Sequence, residues 1–338
     1  MKTNFNFKET EYNVKKYIEL IVKDLSKYEF KTFNLGCSYP NILDEDEKLL
    51  LKKEFQYILT KEVEKQTNSI RLPDNYDIEI LIDFNYKNIE YKIFPIYIYG
   101  IYNKYSRELP QTKYYCFKCR GRGCNFCGYK GVLKDTSLEE KISLYFKDFS
   151  ATEECIFHGA GREDVNVLML GNGREFILEV IEPLKRNIEN LNEIEKKINL
   201  KETDLKVTNL KLEQKVKVKE IKQKKLYKLY RANITLTEEI KREDLNKIPL
   251  NIEIDVVQTT PKRVEKRRAN LDRKRKCTIL KTEFISEKEI IVEIKAEAGL
   301  YIKEFISSDD IRTTPSIKEY LKKNCVCSQL DVIWIYRY

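Results

Sequence analysis

Four cysteines in a twelve-residue window, Cys116-x2-Cys119-x4-Cys124-x2-Cys127, have the spacing of a metal site. Each CxxC pair can grip one side of a tetrahedral ion, and glycines at 121, 123 and 128 permit the tight turns between them. Four thiols leave no open coordination position, so the expected ion is a structural zinc that supplies folding energy to a segment too short for its own core. A redox CxxC needs a thioredoxin-like setting, which the flanking sequence lacks. Lys118, Arg120, Arg122 and Lys130 decorate the loop, where phosphate contacts and ordinary solvated charges are equally expected. A second chemical candidate lies in "FHGAGREDVNVLMLGNGREF", where Glu163 and Asp164 follow Arg162 between glycines. Glycine-flanked charges in a strand-like context mark a turn that presents a side chain.

Positive charge is concentrated. The windows 206–228 and 261–276 each carry nine basic residues against two acids, and together they exceed the whole-chain excess of +9. A lysine run is commonly a solvated helix face, but arginine-rich density around the turn-forming "TTP" fits phosphate-backbone contact and favours an RNA or DNA partner.

The elements that must position these groups read as α+β. Residues 44–66 place Leu51, Phe55, Ile58, Leu59 and Val63 at helical spacing after an acidic first turn. "EYNVKKYIELIVKDL" is a second helix, and "FKTFNLGCS", "YDIEILIDF" and "IEYKIFPIYIYGIY" read as strands. Ser137 with Glu140 forms a capping-box pattern that opens a new unit. Beyond it, β-like runs such as "EFILEVIEP", "LYKLYRANITL", "KEIIVEIKAEAGLYIKEFI" and "QLDVIWIYRY" alternate with charged helical stretches without a β-α-β rhythm, which argues for a largely antiparallel sheet. The division expected is 1–109, a knuckle over 110–135, and 136–338. No run of eighteen apolar residues and no apolar signal core is present, so the expectation is a soluble, cytoplasmic protein. Cys37, Cys155, Cys277, Cys325 and Cys327 read as buried thiols, and His158 as a packing residue.

Several blocks stand together in one order: "YIYGIYNKYSRELPQTK", the knuckle, "GREDVNVLMLGNGREFILEV", "YKLYRA", "TTPKRVEKRRA" and "AEAGLYIKEFISSDDIRTTPSI". Across roughly 97–320 the chain resembles the archaeal and eukaryotic tRNA pseudouridine synthases that modify positions 54 and 55 of the TΨC arm, and the knuckle resembles the archaeal branch. The resemblance implies a C-terminal pseudouridine synthase domain with a mixed, mainly antiparallel sheet, and an N-terminal α/β accessory domain of THUMP type. It implies a catalytic Asp164, with Glu163 pointing elsewhere because adjacent residues of an extended segment face opposite sides. Tyr230 matches the family's stacking tyrosine, whereas by its neighbours alone it reads as a strand-core residue. Lys303 matches the basic partner of the aspartate, with Tyr301 and Ile302 lining the pocket. Arg162 is expected to contact a flipped nucleotide, brace the loop or form a structural ion pair. Lys262, Arg263, Arg267 and Arg268 fall in the family's thumb-like RNA-gripping loop. No organic cofactor, membrane or obligate protein partner is implied; the partner is tRNA.

The chain departs from the family at Asn166 and Leu168, where aspartate and arginine are usual, at Ile101 for arginine and at Lys266 for histidine. Two other classes fit parts of the sequence. One is a tRNA-binding protein or RNA chaperone on the same fold without catalysis, against which the retained Asp164, Tyr230 and Lys303 argue. The other is a DnaJ-kind zinc-ribbon chaperone, whose cysteine pattern repeats several times where this one occurs once.

Overall fold

The computed structural model describes residues 13–40, 43–186, 190–265 and 269–337. Its N-terminal unit opens with the helix Val14–Leu25, capped by the Asn13 side chain accepting from the Lys16 N–H, and buries Tyr17, Ile18, Ile21 and Leu25. Asp44 opens the next helical rod with a capping box to Glu47. The single helix expected over 44–66 carries a wide turn in its middle: Glu45–Leu51 passes through the π segment Lys52–Gln56 into Tyr57–Thr67. Leu51, Phe55, Leu59 and Val63 recur every fourth residue and are all buried. That spacing drifts off one face of a helix with 3.6 residues per turn, and the wide turn absorbs the drift. Ile58, expected on the apolar face, is turned outward and 45% exposed.

A four-stranded sheet completes this unit, in the order Ile70–Arg71, Thr32–Ser38, Ile78–Asp83 and Asn88–Ile93, the last strand antiparallel to its neighbour and the others parallel. The apolar run that follows divides at Pro95. Strand Ile96–Lys104, expected in the N-terminal unit, instead lies between Val167–Val180 and Leu205–Glu213 in the larger sheet, antiparallel to both. The division therefore falls near residue 95 and not at 109. The physical reason is burial: seven of this strand's nine residues are buried, as suits an interior strand covered on both faces.

The larger sheet has ten strands. Its main path runs Thr313–Thr314, Glu253–Thr259, Asp272–Ser286, Glu289–Ala296, Lys228–Leu236, Cys325–Ile335, Val167–Val180, Ile96–Lys104 and Leu205–Glu213, with Cys155–Gly159 pairing off Val167–Val180. Neighbours are antiparallel except Cys325–Ile335 with Val167–Val180, so the sheet is mixed and mainly antiparallel as expected. The helix Leu138–Ser150, capped by Ser137, packs Leu138, Ile142 and Phe146 into the core beneath it. One β-like run proves composite: after Glu289–Ala296 the alternation stops at Gly299, and residues 302–307 form a short helix burying Ile302, Phe305 and Ile306. Lys303 thus comes from a helical first turn, where the sequence reads as strand. The five isolated cysteines are free thiols pushed up by burial, Cys37 and Cys155 to about 11 and Cys277 to about 12.

Candidate active site

Residues 160–166 join strand Cys155–Gly159 to Val167–Val180 and carry Asp164 into a cleft of about 710 Å³. The cleft opens where the sheet changes direction. Val167 lies opposite Leu330 in the one parallel pair, and on the other side of that strand Val332 lies opposite Tyr230. Tyr230, Tyr301, Ile302 and Lys303 therefore line the same cavity as Asp164, so the residues singled out in the sequence converge. Arg162 stands at its exposed rim with no hydrogen-bond or ion-pair partner among the described residues.

Asp164 is gripped by two cations. Its Oδ2 accepts from the Lys303 amine at 3.0 Å, and its carboxylate lies 3.2 Å from an Arg263 guanidinium nitrogen. Burial pushes the Asp164 carboxyl up, but Arg263 and Lys303 outweigh it and hold the group below the ordinary carboxylate range. Asp164 is an anion at neutral pH, with 41% of its side chain still exposed toward the cleft. Arg263 was expected on RNA, yet its other edge is occupied by the buried Glu304, Nε to Oε1 at 2.5 Å, and its guanidinium lies 5.7 Å from the Tyr301 ring centre. Asn166 also accepts from Lys303 at 3.0 Å, so that departure keeps the acceptor and removes only its charge. Of the other thumb-loop residues, Lys262 donates its backbone N–H to Asp309 and pairs its amine with Asp310, while Lys266, Arg267 and Arg268 lie outside the described residues.

A fan of donors not foreseen in the sequence fixes the loop beneath Asp164. The Ala160 carbonyl accepts from Arg174 at 3.0 Å, Gly161 from Gln111 at 3.0 Å, Val165 from Lys104 at 2.6 Å, and Asn166 from Arg107 at 3.0 Å. Glu163 also lines the cleft, but its carboxylate is engaged within the protein: it meets Arg174 Nε at 3.0 Å and accepts from the Tyr102 hydroxyl at 2.9 Å, with both side chains of the ion pair 2% exposed. Gln111 donates to the same Tyr102 hydroxyl at 2.7 Å, closing the network. The available signal was a charge embedded in an apolar strand, Lys104 ending "YIYGIYNK" and Arg174 opening "REFILEV", because such a charge is buried only with partners.

Lys228, two residues before Tyr230 on one strand and hence on the same face, also lines the cleft. Among the described residues its amine has no hydrogen-bond or ion-pair partner. Burial and the Arg174 charge push it down to about 7 against the opposing pull of Glu163. His158, expected as a packing residue, is instead held by polar partners on both ring nitrogens, Glu179 at 2.8 Å and Lys222 at 2.9 Å.

The four knuckle sulfurs lie within 4.8 Å of one another, with Cys116–Cys124 at 3.9 Å and Cys119–Cys127 at 3.8 Å. A tetrahedral ion with bonds of about 2.3 Å needs sulfurs about 3.8 Å apart, so the set fits a metal ion. Backbone N–H groups of Gly123 and Gly131 donate to the Cys119 and Cys127 sulfurs at 3.2 Å, which favours thiolates. Gly123 (φ +88°) and Gly131 (φ +73°) are required there, since a Cβ would meet a backbone oxygen at 2.7 Å and 2.3 Å respectively.

Residues 97–336 match the family described as Pus10, C-terminal. A protein of Archaeoglobus fulgidus named tRNA pseudouridine synthase Pus10 is 38% identical over 95% of this chain and 91% of its own length. Proteins of the same name from Methanocaldococcus jannaschii and Methanopyrus kandleri are 38% and 36% identical, over 98% and 95% of this chain and 74% and 77% of theirs. A solved H/ACA RNP bound to a substrate RNA containing 2'-deoxyuridine aligns with 58% of this chain and 42% of its own at 13% identity and a TM-score of 0.29, too weak a superposition to bear on the fold. A family match spanning the whole larger sheet, with relatives this similar over nearly the full length, means that the chain belongs to the Pus10 family.

Proposed function

We propose that this protein isomerises uridine to pseudouridine in tRNA, at position 54, 55 or both of the TΨC arm, with Asp164 as the catalytic group. The observation that carries the reading is an ionised carboxylate, held by Lys303 and Arg263 in a cleft that it shares with an aromatic ring, Tyr230. The reaction breaks the N1–C1′ bond, turns the base and joins C5 to C1′; C5 loses a proton and N1 gains one, with no redox change. One carboxylate suffices, whether by covalent attack or by removing the C2′ proton. The uridine must leave the RNA stack to reach it, and Tyr230 supplies the ring on which the everted base rests. Lys228 on the cleft wall, with no carboxylate partner among the described residues, supplies a donor to the base once its glycosidic bond breaks.

In this reading the N-terminal unit is an RNA-binding accessory domain of THUMP type, the knuckle ion is zinc with a structural role, and the protein works on cytoplasmic tRNA. No helix among the described residues is long and apolar enough to cross a membrane. The test is to incubate the protein with an unmodified tRNA transcript and map pseudouridine chemically. Asp164→Ala is expected to lower single-turnover formation at least about 10³-fold while tRNA affinity stays within a few-fold. Product at the parent rate from that variant would overturn the assignment.

A further inference from the structure

The metal knuckle is more than a staple. We propose that its two CxxC turns form a stacking platform for unpaired nucleobases of the RNA, a contact separate from the catalytic cleft.

Residues 112–134 contain six basic residues and no acidic one. Even after the two negative charges left by four thiolates on a divalent ion, this surface is positive. Lys113, Lys130 and Lys134 face Glu140, Asp135 and Glu108. Lys118, Arg120 and Arg122 have no carboxylate partner among the described residues, and all three are exposed.

Four exposed aromatic rings lie in the same segment. Phe117 is 68% exposed, Phe126 51%, Tyr115 57% and Tyr129 74%. A single exposed ring needs no explanation, but four within fifteen residues, interleaved with cations that have no carboxylate partner among the described residues, with Phe117 and Phe126 in contact, are more than scattered exposure. Its geometry is organised. Each CxxC turn raises one phenylalanine, the two rings meet edge to face at 5.1 Å, and the Lys118 amine lies 4.1 Å from the Phe126 centre. The turns are fixed by the sulfur cluster and the N–H···S bonds, so the rings are presented without the entropy that a mobile loop would lose on binding.

Aromatic faces beside unpaired cations match an RNA strand, whose bases offer π faces and whose backbone offers negative charge. A protein partner would need carboxylates at the same spacing. The segment that carries this surface begins at the cleft, which Tyr114 lines.

The inference rests on the tRNA reading above, and the experiment separates the two. Full-length parent, Phe117→Leu/Phe126→Leu and Phe117→Trp/Phe126→Trp proteins are titrated with labelled tRNA transcript, with metal content measured on each. Leucine keeps the apolar bulk and removes the π face, so that pair is expected to bind about 10-fold or more weakly, and the tryptophan pair at least as tightly as the parent. With metal retained, product formed at saturating tRNA stays near the parent level in both. Affinity of the leucine pair within two-fold of the parent overturns the platform and leaves a protein-docking face as the remaining use of these rings. Should the leucine pair lose its metal, Lys118→Glu/Arg120→Glu, which alters only exposed side chains, decides by the same ten-fold criterion. A parent that neither binds nor modifies tRNA would sink the functional reading itself, whatever the variants do.

Discussion

Removing the guanidinium beneath the active-site loop tests whether that loop is held rigid by buried charge. Arg174→Met leaves Glu163, whose side chain is 2% exposed, without the cation 3.0 Å away, and leaves the Ala160 carbonyl without its donor. Breaking a buried pair from one side costs about 3–5 kcal/mol, and the lost hydrogen bond adds about 1 kcal/mol. For a unit of about 240 residues each kcal/mol lowers the melting temperature by about 2–4 °C, so a fall of about 8–24 °C is expected. Trp334, the only tryptophan, lies on strand Cys325–Ile335 against Gly171 and reports denaturant unfolding of the large sheet by its fluorescence. Glu163→Gln in the Arg174→Met background removes the stranded charge and should restore at least about 2 kcal/mol, giving a double-variant cycle with strong coupling. Activity should not follow: the Ala160 carbonyl stays unpaired, Asp164 is less well aimed, and turnover stays down about 100-fold. A loss below 1 kcal/mol for Arg174→Met, or simple additivity in the double variant, would refute the idea that this pair sets the loop.

Two further predictions concern charge and metal. In the parent, the Asp164 carboxyl is held below its ordinary value, so the contribution of its ion pairs is complete above the unfolded value of about 4 and is lost as pH falls through the folded one. Lys303→Met removes one of the two cations, so the acid limb of kcat/KM should move to higher pH; superimposable acid limbs in parent and variant would contradict the role given to Lys303. Chelation of the knuckle metal should make residues 110–135 protease-sensitive and weaken tRNA binding while leaving the Trp334 unfolding transition and turnover at saturating tRNA largely intact. Loss of the chemical step in direct proportion to metal removed would show instead that the ion takes part in the reaction.

The parts of the site legible in the sequence are those whose chemistry is local. Four thiols at x2-x4-x2 spacing can close on one ion without reference to the rest of the chain, and the sulfur distances near 3.8 Å follow from that spacing and three glycines. The helix over 44–66 was legible from its periodicity, and its outward Ile58 was not, because a π turn changes which residues share a face without altering composition. Strand Ile96–Lys104 was read as a strand but placed in the wrong unit. Its alternation says nothing about which neighbours it pairs with, and only its near-continuous burial marks it as interior.

What pattern alone could not reach is the convergence of distant segments on Asp164. Lys303 is 139 residues away in the chain and Arg263 is 99, and both arrive because one strand, Cys325–Ile335, runs parallel to Val167–Val180 while its other neighbour runs antiparallel. The cleft lies where Val167 begins its strand beside Leu330, and both the loop carrying Asp164 and the helix Ile302–Ser307 supply side chains to it. Arg263 shows the consequence most clearly. As part of an arginine-rich run it reads as a phosphate contact, whereas in the fold its guanidinium bridges Asp164 and Glu304, two carboxylates on different elements. A residue so engaged is poorly placed to grip a phosphate at the same time, and it ties the thumb-side segment to the ionisation of the aspartate.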